Sequence, residues 1–208
     1  MTRRDVSTSA SSRSRSRSPP KAFGNGKRYI CIDFETNGFA KGRIKPTPHE
    51  NYPTQVALVA VEEGEVTLLW SSFISGATSL AEWVVCNTPV TLEKLKNAPS
   101  FEEVLKRMQE TVRPTDVIVC HNLDFDLRQV LQRTAYKLKL DASDFLKASK
   151  FCTMRCAYSD KTFRGKWPKM ADLCNHFGVK QDVSHCAVAD STALAQCVAE
   201  ALRRGVML

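Results

Sequence analysis

Apolar positions follow strand-like patterns in the first half of the chain beyond residue 28. Short apolar runs that predict β-strands cover Tyr29–Phe34, Gln55–Glu62, Thr67–Ile74 and Asp116–Cys120. Residues 63–65 read Glu-Gly-Glu and predict a hairpin between the second and third runs. The first three strands should therefore form an antiparallel meander.

Helical spacing appears between and after these runs. Phe101–Thr111 has apolar residues at positions 101, 104, 105 and 108, and Ser100 with Glu103 predicts a capping box at its start. Further helices are predicted over Asp124–Lys139, Lys169–Phe177 and Ala187–Arg204. Strands in a meander, followed by helices that alternate with further strands, predict an α/β fold with a mixed sheet flanked by helices.

The N-terminal segment differs in composition from the rest of the chain. Residues 1–27 contain the Arg-Ser tract of Ser7–Pro20, which cannot bury enough apolar surface to order itself, so we expect a disordered tail. The net charge is +8, but residues 1–28 hold eight basic residues against one acidic residue. Residues 29–208 are nearly neutral. The tail is interpretable as a solubilising segment, a phosphorylatable tract or a phosphate-contacting arm.

Composition also restricts the cellular setting. No apolar run reaches the roughly 20 residues of a membrane span, and the first residues lack the apolar stretch of a secretory signal. We expect an intracellular protein, in the nucleus or cytoplasm rather than the mitochondrion, with its eight cysteines reduced. A zinc site is a weak alternative, because its four candidate ligands match no common zinc spacing. Those candidates are Cys152, Cys156, Cys174 and His176.

Two acidic residues lie in the first predicted strand. Asp33 and Glu35 are two positions apart, so both carboxylates point to the same face of that strand. Two like charges in an apolar strand are unfavourable unless a cation lies between them. A strand end with solvated acids is the alternative if the pair stands alone.

Two later segments add acidic groups. Asp126 lies in HNLDFD, just after the strand that ends at Cys120, in the first turn of a predicted helix. His185 and Asp190 lie in SHCAVAD, with Asp190 inside the last predicted helix. Four carboxylates that converge from three segments can hold two divalent cations about 4 Å apart, an arrangement that hydrolyses phosphodiesters.

These three segments resemble the motifs of the DEDDh exonucleases, the DnaQ-like, proofreading-subunit-like branch of the RNase H-like superfamily. The matches are Asp33-Phe34-Glu35, His121-Asn122-Leu123-Asp124-Phe125-Asp126 and His185-Cys186-Ala187-Val188-Ala189-Asp190. The resemblance implies an RNase H-like domain over residues 28–208. It also implies a mixed five-stranded sheet, made of a three-stranded antiparallel meander plus parallel strands.

The resemblance further implies a role for each motif residue. Asp33, Glu35 and Asp190 would bind one metal ion, Asp33 would bridge to a second, and Asp126 would reach that second ion. Oxygen ligands suit Mg²⁺ or Mn²⁺, two per site. His185 would act as the general base that takes a proton from water.

Residues beside the motifs are candidates for substrate binding. Thr36 and Asn37 would line the pocket of the terminal nucleotide, and Asn122 is a third candidate beside the site. Relatives carry a His-Gly-Ile-Thr element where residues 87–91 lack its His and Gly. The loop Phe39–Pro53 holds three basic residues, which are either phosphate contacts or solvated charges: Lys41, Arg43 and Lys45.

The predicted activity is 3′→5′ exonuclease hydrolysis of single-stranded DNA or RNA, releasing nucleoside 5′-monophosphates. The alternatives are a catalytically silent RNase H-like adaptor that binds nucleic acid, and a subunit that acts only in a polymerase complex. We expect single-stranded 3′ ends as partners, and no membrane. A polymerase or RNA-processing partner and a homodimer stay open, as does the choice between DNA and RNA.

Overall fold

The computed structural model describes residues 26–38, 51–159, 163, 166–181 and 185–206. The predicted tail, up to residue 25, lies outside these residues. So do positions 39–50, which hold the three basic residues of the loop after the first acidic motif. Among the described residues, no helix is long and apolar enough to cross a membrane.

A five-stranded sheet in the order β3-β2-β1-β4-β5 forms the centre of the protein. Its strands are β1 (Tyr29–Thr36), β2 (Pro53–Glu62), β3 (Glu65–Phe73), β4 (Val117–Cys120) and β5 (Ser149–Cys152). β1, β2 and β3 pair antiparallel, whereas β4 pairs parallel with both β1 and β5. The predicted fold class, including the meander and the parallel strands, is confirmed.

Helices cover both faces of this sheet in the described part of the chain. They are α1 (Glu82–Asn87), α2 (Leu92–Lys96), α3 (Phe101–Thr111), a π-helical segment (Asp124–Gln132), α4 (Arg133–Lys137), α5 (Ser143–Lys147), α6 (Thr153–Ser159), α7 (Met170–Phe177) and α8 (Ala187–Arg204). The predicted capping box of α3 is present, and α8 has the predicted bounds. α1, α2, α5, α6 and β5 were not predicted individually.

Alternation along the strands produces two separate apolar cores. On one face, Ile30 and Ile32 of β1 pack with α3, the π-helical segment and α5. On the other face, Tyr29 and Cys31 pack with α7 and α8. The sheet is therefore buried on both sides, and α8 lies across the face to which the odd-numbered residues of β1 point.

The helix predicted over Asp124–Lys139 differs from the structure in its winding. Its first nine residues are π-helical, and α4 continues it with ordinary winding to Lys137. Hydrophobic spacing does not separate these two windings over so short a stretch, because both keep the apolar side chains on one face. π-Helical segments are rare and often lie at functional sites.

Candidate active site

The acidic pair of β1 continues the face that packs against α8. Asp33 and Glu35 alternate with Ile32 and Phe34, whose side chains lie in the opposite core. Their partners across β2 are Ala57 for Asp33 and Gln55 for Glu35. Glu35 is only 8% exposed. Two carboxylates thus enter a largely buried region side by side.

Hydrogen bonds to β2 place α8 directly over this pair. The backbone N–H of Ala187, at the first turn of α8, donates to the Gln55 side-chain oxygen at 3.2 Å. The Ser191 hydroxyl donates to the Ala57 carbonyl oxygen at 3.2 Å. Because Gln55 and Ala57 are the cross-strand partners of the two acids, the start of α8 is set above them.

The third carboxylate comes from this first turn of α8. One oxygen each of Asp33, Glu35 and Asp190 can be chosen so that all three lie within 4.8 Å of one another. Burial raises the pKa of Asp33 well above its ordinary value, and the charges of the neighbouring acids raise it further. Burial, and then Asp190, raise the pKa of Glu35 to about 7. The structure therefore brings together three of the predicted metal ligands.

Asp126 reaches the same region from the opposite face of the sheet. It lies in the first turn of the π-helical segment, is 3% exposed, and accepts a hydrogen bond from the Phe34 backbone N–H at 3.1 Å. Since Phe34 lies between Asp33 and Glu35, this contact ties Asp126 to the middle of the acidic pair. Burial raises the pKa of Asp126 to about 8, although the Phe34 N–H favours its charged form.

Two donors orient the carboxylate of Asp190. The backbone N–H of His185 donates to Oδ2 at 3.0 Å, and the Gln181 side-chain amide donates to Oδ1. His185 takes a left-handed backbone conformation with φ of 61°, which aims its N–H back at the first turn of α8. Burial raises the pKa of Asp190, and these donors act against that rise.

The imidazole of His185 lies against a tryptophan. Its ring centroid is 4.7 Å from that of Trp83 in α1, with the planes at 83°. Both side chains are exposed, and the charge of His185 acts against the rise in the pKa of Asp190, so the ring lies near that carboxylate on the solvent side. The predicted general base is thus at the open edge of the site and is held edge-to-face by Trp83.

The side chains after the first motif are turned inward. The Thr36 hydroxyl donates to the Gly38 carbonyl oxygen at 2.9 Å. Asn37 is 4% exposed; its side-chain oxygen accepts from the Tyr52 N–H at 2.9 Å, and its amide donates to the Ser79 carbonyl oxygen at 3.4 Å. Both residues shape the loop beside the carboxylates, and their contact with a nucleotide stays a prediction.

The second motif has a structural histidine beside the site. His121 Nε2 donates to the Pro168 carbonyl oxygen at 3.0 Å, and because a carbonyl only accepts, Nδ1 accepts from the Thr153 hydroxyl at 2.9 Å. The next residue, Asn122, accepts at its backbone oxygen from the N–H of Asp126 at 3.1 Å. Asn122 therefore anchors the first turn that carries Asp126, and its contact with substrate stays a prediction.

The candidate zinc ligands have other neighbours. Cys174 Sγ lies 3.9 Å from Cys197 Sγ in the core between α7 and α8. The His176 ring lies 5.4 Å from that of Phe163 and 4.7 Å from that of Phe177. In the part of the chain that the structure describes, only the three acids form a group able to hold a metal ion.

The acidic site fits a divalent cation. Burial raises the pKa of each of its four carboxyls, and the charge of a neighbouring acid raises it further for Asp33, Glu35 and Asp126, so in the absence of a counter-charge the ionised forms are disfavoured. A cation among the oxygens removes that repulsion and holds the groups ionised. No basic side chain is hydrogen-bonded to these carboxylates in the described residues, and the donors present are backbone N–H groups and the Gln181 amide.

Comparison with known families shows to which protein family the chain belongs. A family model described as an exonuclease of the RNase T type matches residues 30–198, which include all three acidic motifs. The chain belongs to this exonuclease family. The predicted DEDDh, DnaQ-like membership and the predicted class of enzyme, a nuclease that acts as a metal-dependent hydrolase, are confirmed.

Curated relatives of this exonuclease are much larger proteins, of which this chain matches a small part. The chain is 25% identical over 171 residues to a PolC-type DNA polymerase III of Clostridium perfringens, and the match covers 81% of this chain and 11% of the relative. It is 30% identical over 99 residues to the corresponding protein of Staphylococcus aureus, covering 48% of this chain and 6% of that one. The chain spans about a tenth or less of these relatives.

Solved structures share the fold of this exonuclease. A 3′-exonuclease in a structure of 3′-end-specific recognition of histone mRNA stem-loop has a TM-score of 0.73 at 16% identity, covering 88% of this chain and 84% of that one. The nuclease domain of 3′hExo, a DEDDh family member bound to rAMP, has a TM-score of 0.69 at 19% identity, covering 88% and 94%.

Three residues of the site were missed in the sequence. Gln55 receives the start of α8, Gln181 holds Asp190, and Trp83 holds His185. None lies inside an acidic motif. Each contacts a residue too far away in the chain for the periodicity of a helix or strand to predict the contact. Trp83 lies four residues before the stretch where the family's His-Gly-Ile-Thr element was sought.

Proposed function

We propose that this exonuclease removes nucleotides from the 3′ end of single-stranded DNA or RNA with two Mg²⁺ or Mn²⁺ ions, releasing nucleoside 5′-monophosphates. The observation that carries the proposal is the meeting of Asp33, Glu35 and Asp190 within 4.8 Å, with Asp126 tied to the same strand. A set of oxygen ligands alone favours these hard cations over zinc.

The divalent ions, when bound, supply Lewis-acid stabilisation of the phosphoryl oxygens and of the leaving 3′-oxygen. The side chains of the protein would bind the ions and hold the ligands in position. Asp33, Glu35 and Asp190 would hold the ion at the attacking side, and Asp33 and Asp126 the ion at the leaving side. Gln181 and the His185 N–H keep the Asp190 carboxylate in one orientation.

His185 is proposed as the general base. Its exposed ring lies at the solvent edge of the carboxylates, where a water molecule can reach it, and Trp83 restricts its orientation. A neutral imidazole has a proton affinity suited to accepting a proton from water near neutral pH. The His185 backbone bond to Asp190 couples the position of the base to that of a metal ligand.

A polymerase partner is supported by the PolC-type relatives, of which this chain matches only a small part. The catalytically silent adaptor is disfavoured by the buried acids themselves. Their raised pKa values show that packing them together is unfavourable without a cation, which is a strong reason for such a cluster to serve metal binding.

The test uses 5′-labelled single-stranded DNA and RNA of equal sequence with Mg²⁺, Mn²⁺ or EDTA. We expect stepwise shortening with metal, none with EDTA, and none with Asp33→Asn. Asp144→Asn is the matched control, because Asp144 is an exposed acid on α5 that pairs with Lys147 at 2.8 Å. Shortening from the labelled end, or cleavage that persists in Asp33→Asn, would contradict the proposal.

A further inference from the structure

A second exposed tryptophan, Trp167, lies three residues before the start of α7. Trp167 is 56% exposed, and Lys166 and Lys169 beside it are exposed too. The surrounding sequence, KTFRGKWPK, has four basic residues and no acidic one. This concentration of charge is unusual in a domain whose residues from 29 onward are nearly neutral.

A hydrogen bond fixes this segment to the second acidic motif. The carbonyl oxygen of Pro168, the residue after Trp167, accepts from His121 Nε2 at 3.0 Å. His121 directly precedes Asn122, whose carbonyl oxygen accepts from the Asp126 N–H. Trp167 is thereby held beside the end of β4, close to the turn that carries a carboxylate of the site.

An arginine extends the same surface. Arg155 is exposed in α6, two residues after the Thr153 that bonds His121. The pKa of Asp124, at the start of the π-helical segment, is lowered by a hydrogen bond from Gln129, by Arg128 and, most weakly, by the charge of Arg155. Arg155 is therefore near the start of the segment that carries Asp126. We call Arg155, Lys166, Trp167 and Lys169 the Trp167 patch.

We propose that the Trp167 patch binds the single-stranded substrate upstream of its 3′-terminal nucleotide. The Trp167 ring stacks on a base, and the three cations contact backbone phosphates. This inference rests on the proposed function, because the strand must first place its 3′ end among the carboxylates. Stacking on an aromatic ring within a positive surface is how single strands are held without sequence preference.

The chemistry of the patch favours nucleic acid over a protein partner. Lysines are depleted at the centres of protein interfaces, whereas a tryptophan surrounded by cations and close to a phosphodiesterase site is complementary to a polyanion with flat bases. The Pro168–His121 bond restrains the backbone next to Trp167, which lowers the ordering cost of binding at this position.

The experiment compares substrates that reach the patch with one that does not. Wild type, Trp167→Ala, Trp167→Phe and Lys166→Gln/Lys169→Gln are assayed on a single strand of about fifteen nucleotides, and on the p-nitrophenyl ester of thymidine 5′-monophosphate. Binding of the long strand is measured by fluorescence anisotropy in the Asp33→Ala background. Tyr136→Ala and Lys96→Gln/Lys106→Gln, exposed residues elsewhere on the surface, are the matched controls.

We expect Trp167→Ala to weaken binding and raise KM for the long strand about fivefold to a hundredfold, with the small ester unaffected and Trp167→Phe close to wild type. The double lysine variant should lower the slope of log affinity against log salt by about 1.4. Equal binding of the long strand by Asp33→Ala and by Asp33→Ala/Trp167→Ala overturns the inference. Failure of wild type to hydrolyse either substrate overturns the proposed function instead, and the binding measurement still decides the role of the patch.

Discussion

Raising the pH in the absence of metal should destabilise the protein through Glu35 and Asp126. Their pKa values are raised by burial, to about 7 and about 8, from ordinary values of 4.5 and 3.8. In this pH range the folded protein holds protons that the unfolded chain releases. The contribution of these two groups to the free energy of unfolding is therefore complete below about pH 4, the pKa range of the unfolded chain, and is lost as pH rises through their folded pKa values.

The loss in the free energy of unfolding between pH 6 and pH 8 follows from how much of each group ionises in the folded protein over that range. Glu35 contributes a loss of about 1.4 kcal/mol, and Asp126, which is only half ionised at pH 8, a loss of about 2.3 kcal/mol, at up to about 1.4 kcal/mol per pH unit and proton. His121, whose burial lowers its pKa, acts in the opposite direction by less than about 1 kcal/mol. We expect a net loss of at least about 3 kcal/mol, because the raised pKa values of Asp33 and Asp190 act in the same direction as those of Glu35 and Asp126. Stopping at pH 8 stays below the ordinary thiol pKa of 9.0.

The assay is urea unfolding in EDTA, followed by tryptophan fluorescence at both pH values. Asp126→Asn keeps an acceptor for the Phe34 N–H but removes the titrating group, so the loss of stability between pH 6 and pH 8 should be smaller by about 2 kcal/mol. Mg²⁺ should stabilise the wild type more at pH 8 than at pH 6, because a bound cation needs ionised ligands. Stability that is flat or rises from pH 6 to pH 8 in EDTA would refute the reasoning, as would an unchanged slope in Asp126→Asn.

Three further changes test the site and the fold. His185→Asn tolerates the left-handed backbone and keeps the N–H to Asp190, so cleavage should fall about 10²- to 10⁴-fold while Mg²⁺ affinity by calorimetry stays constant. Gln181→Ala removes a donor from Asp190 and should weaken Mg²⁺ binding about 10- to 100-fold by the same measurement; unchanged affinity would contradict a positioning role. Ser100→Ala removes the side-chain half of the α3 capping box with Glu103, and should lower the free energy of unfolding in urea by about 1 kcal/mol with activity per folded molecule unchanged.

Features that depend on neighbours in the chain were predictable from the sequence. The bounds of α8 were predicted to the residue, and the capping box of Ser100 and Glu103 was predicted because its donors and acceptors lie within one turn. The shared face of Asp33 and Glu35 likewise follows from the two-residue period of a strand. The order of the three motifs also indicated the exonuclease family and which acidic residues form the site.

Contacts between distant parts of the chain were decided only by the tertiary structure. Gln55 meets the start of α8 across 132 positions, and Asp126 meets Phe34 across 92, through registers and packing that no local pattern encodes. The π-helical winding and the placing of Trp83 against His185 are of the same kind. Local periodicity determines which face of an element is apolar, but the partner of that face is chosen by how all the elements pack together. For this reason the sequence by itself determined the acidic residues and the elements that carry them, and the tertiary structure decided which other residues hold them in place.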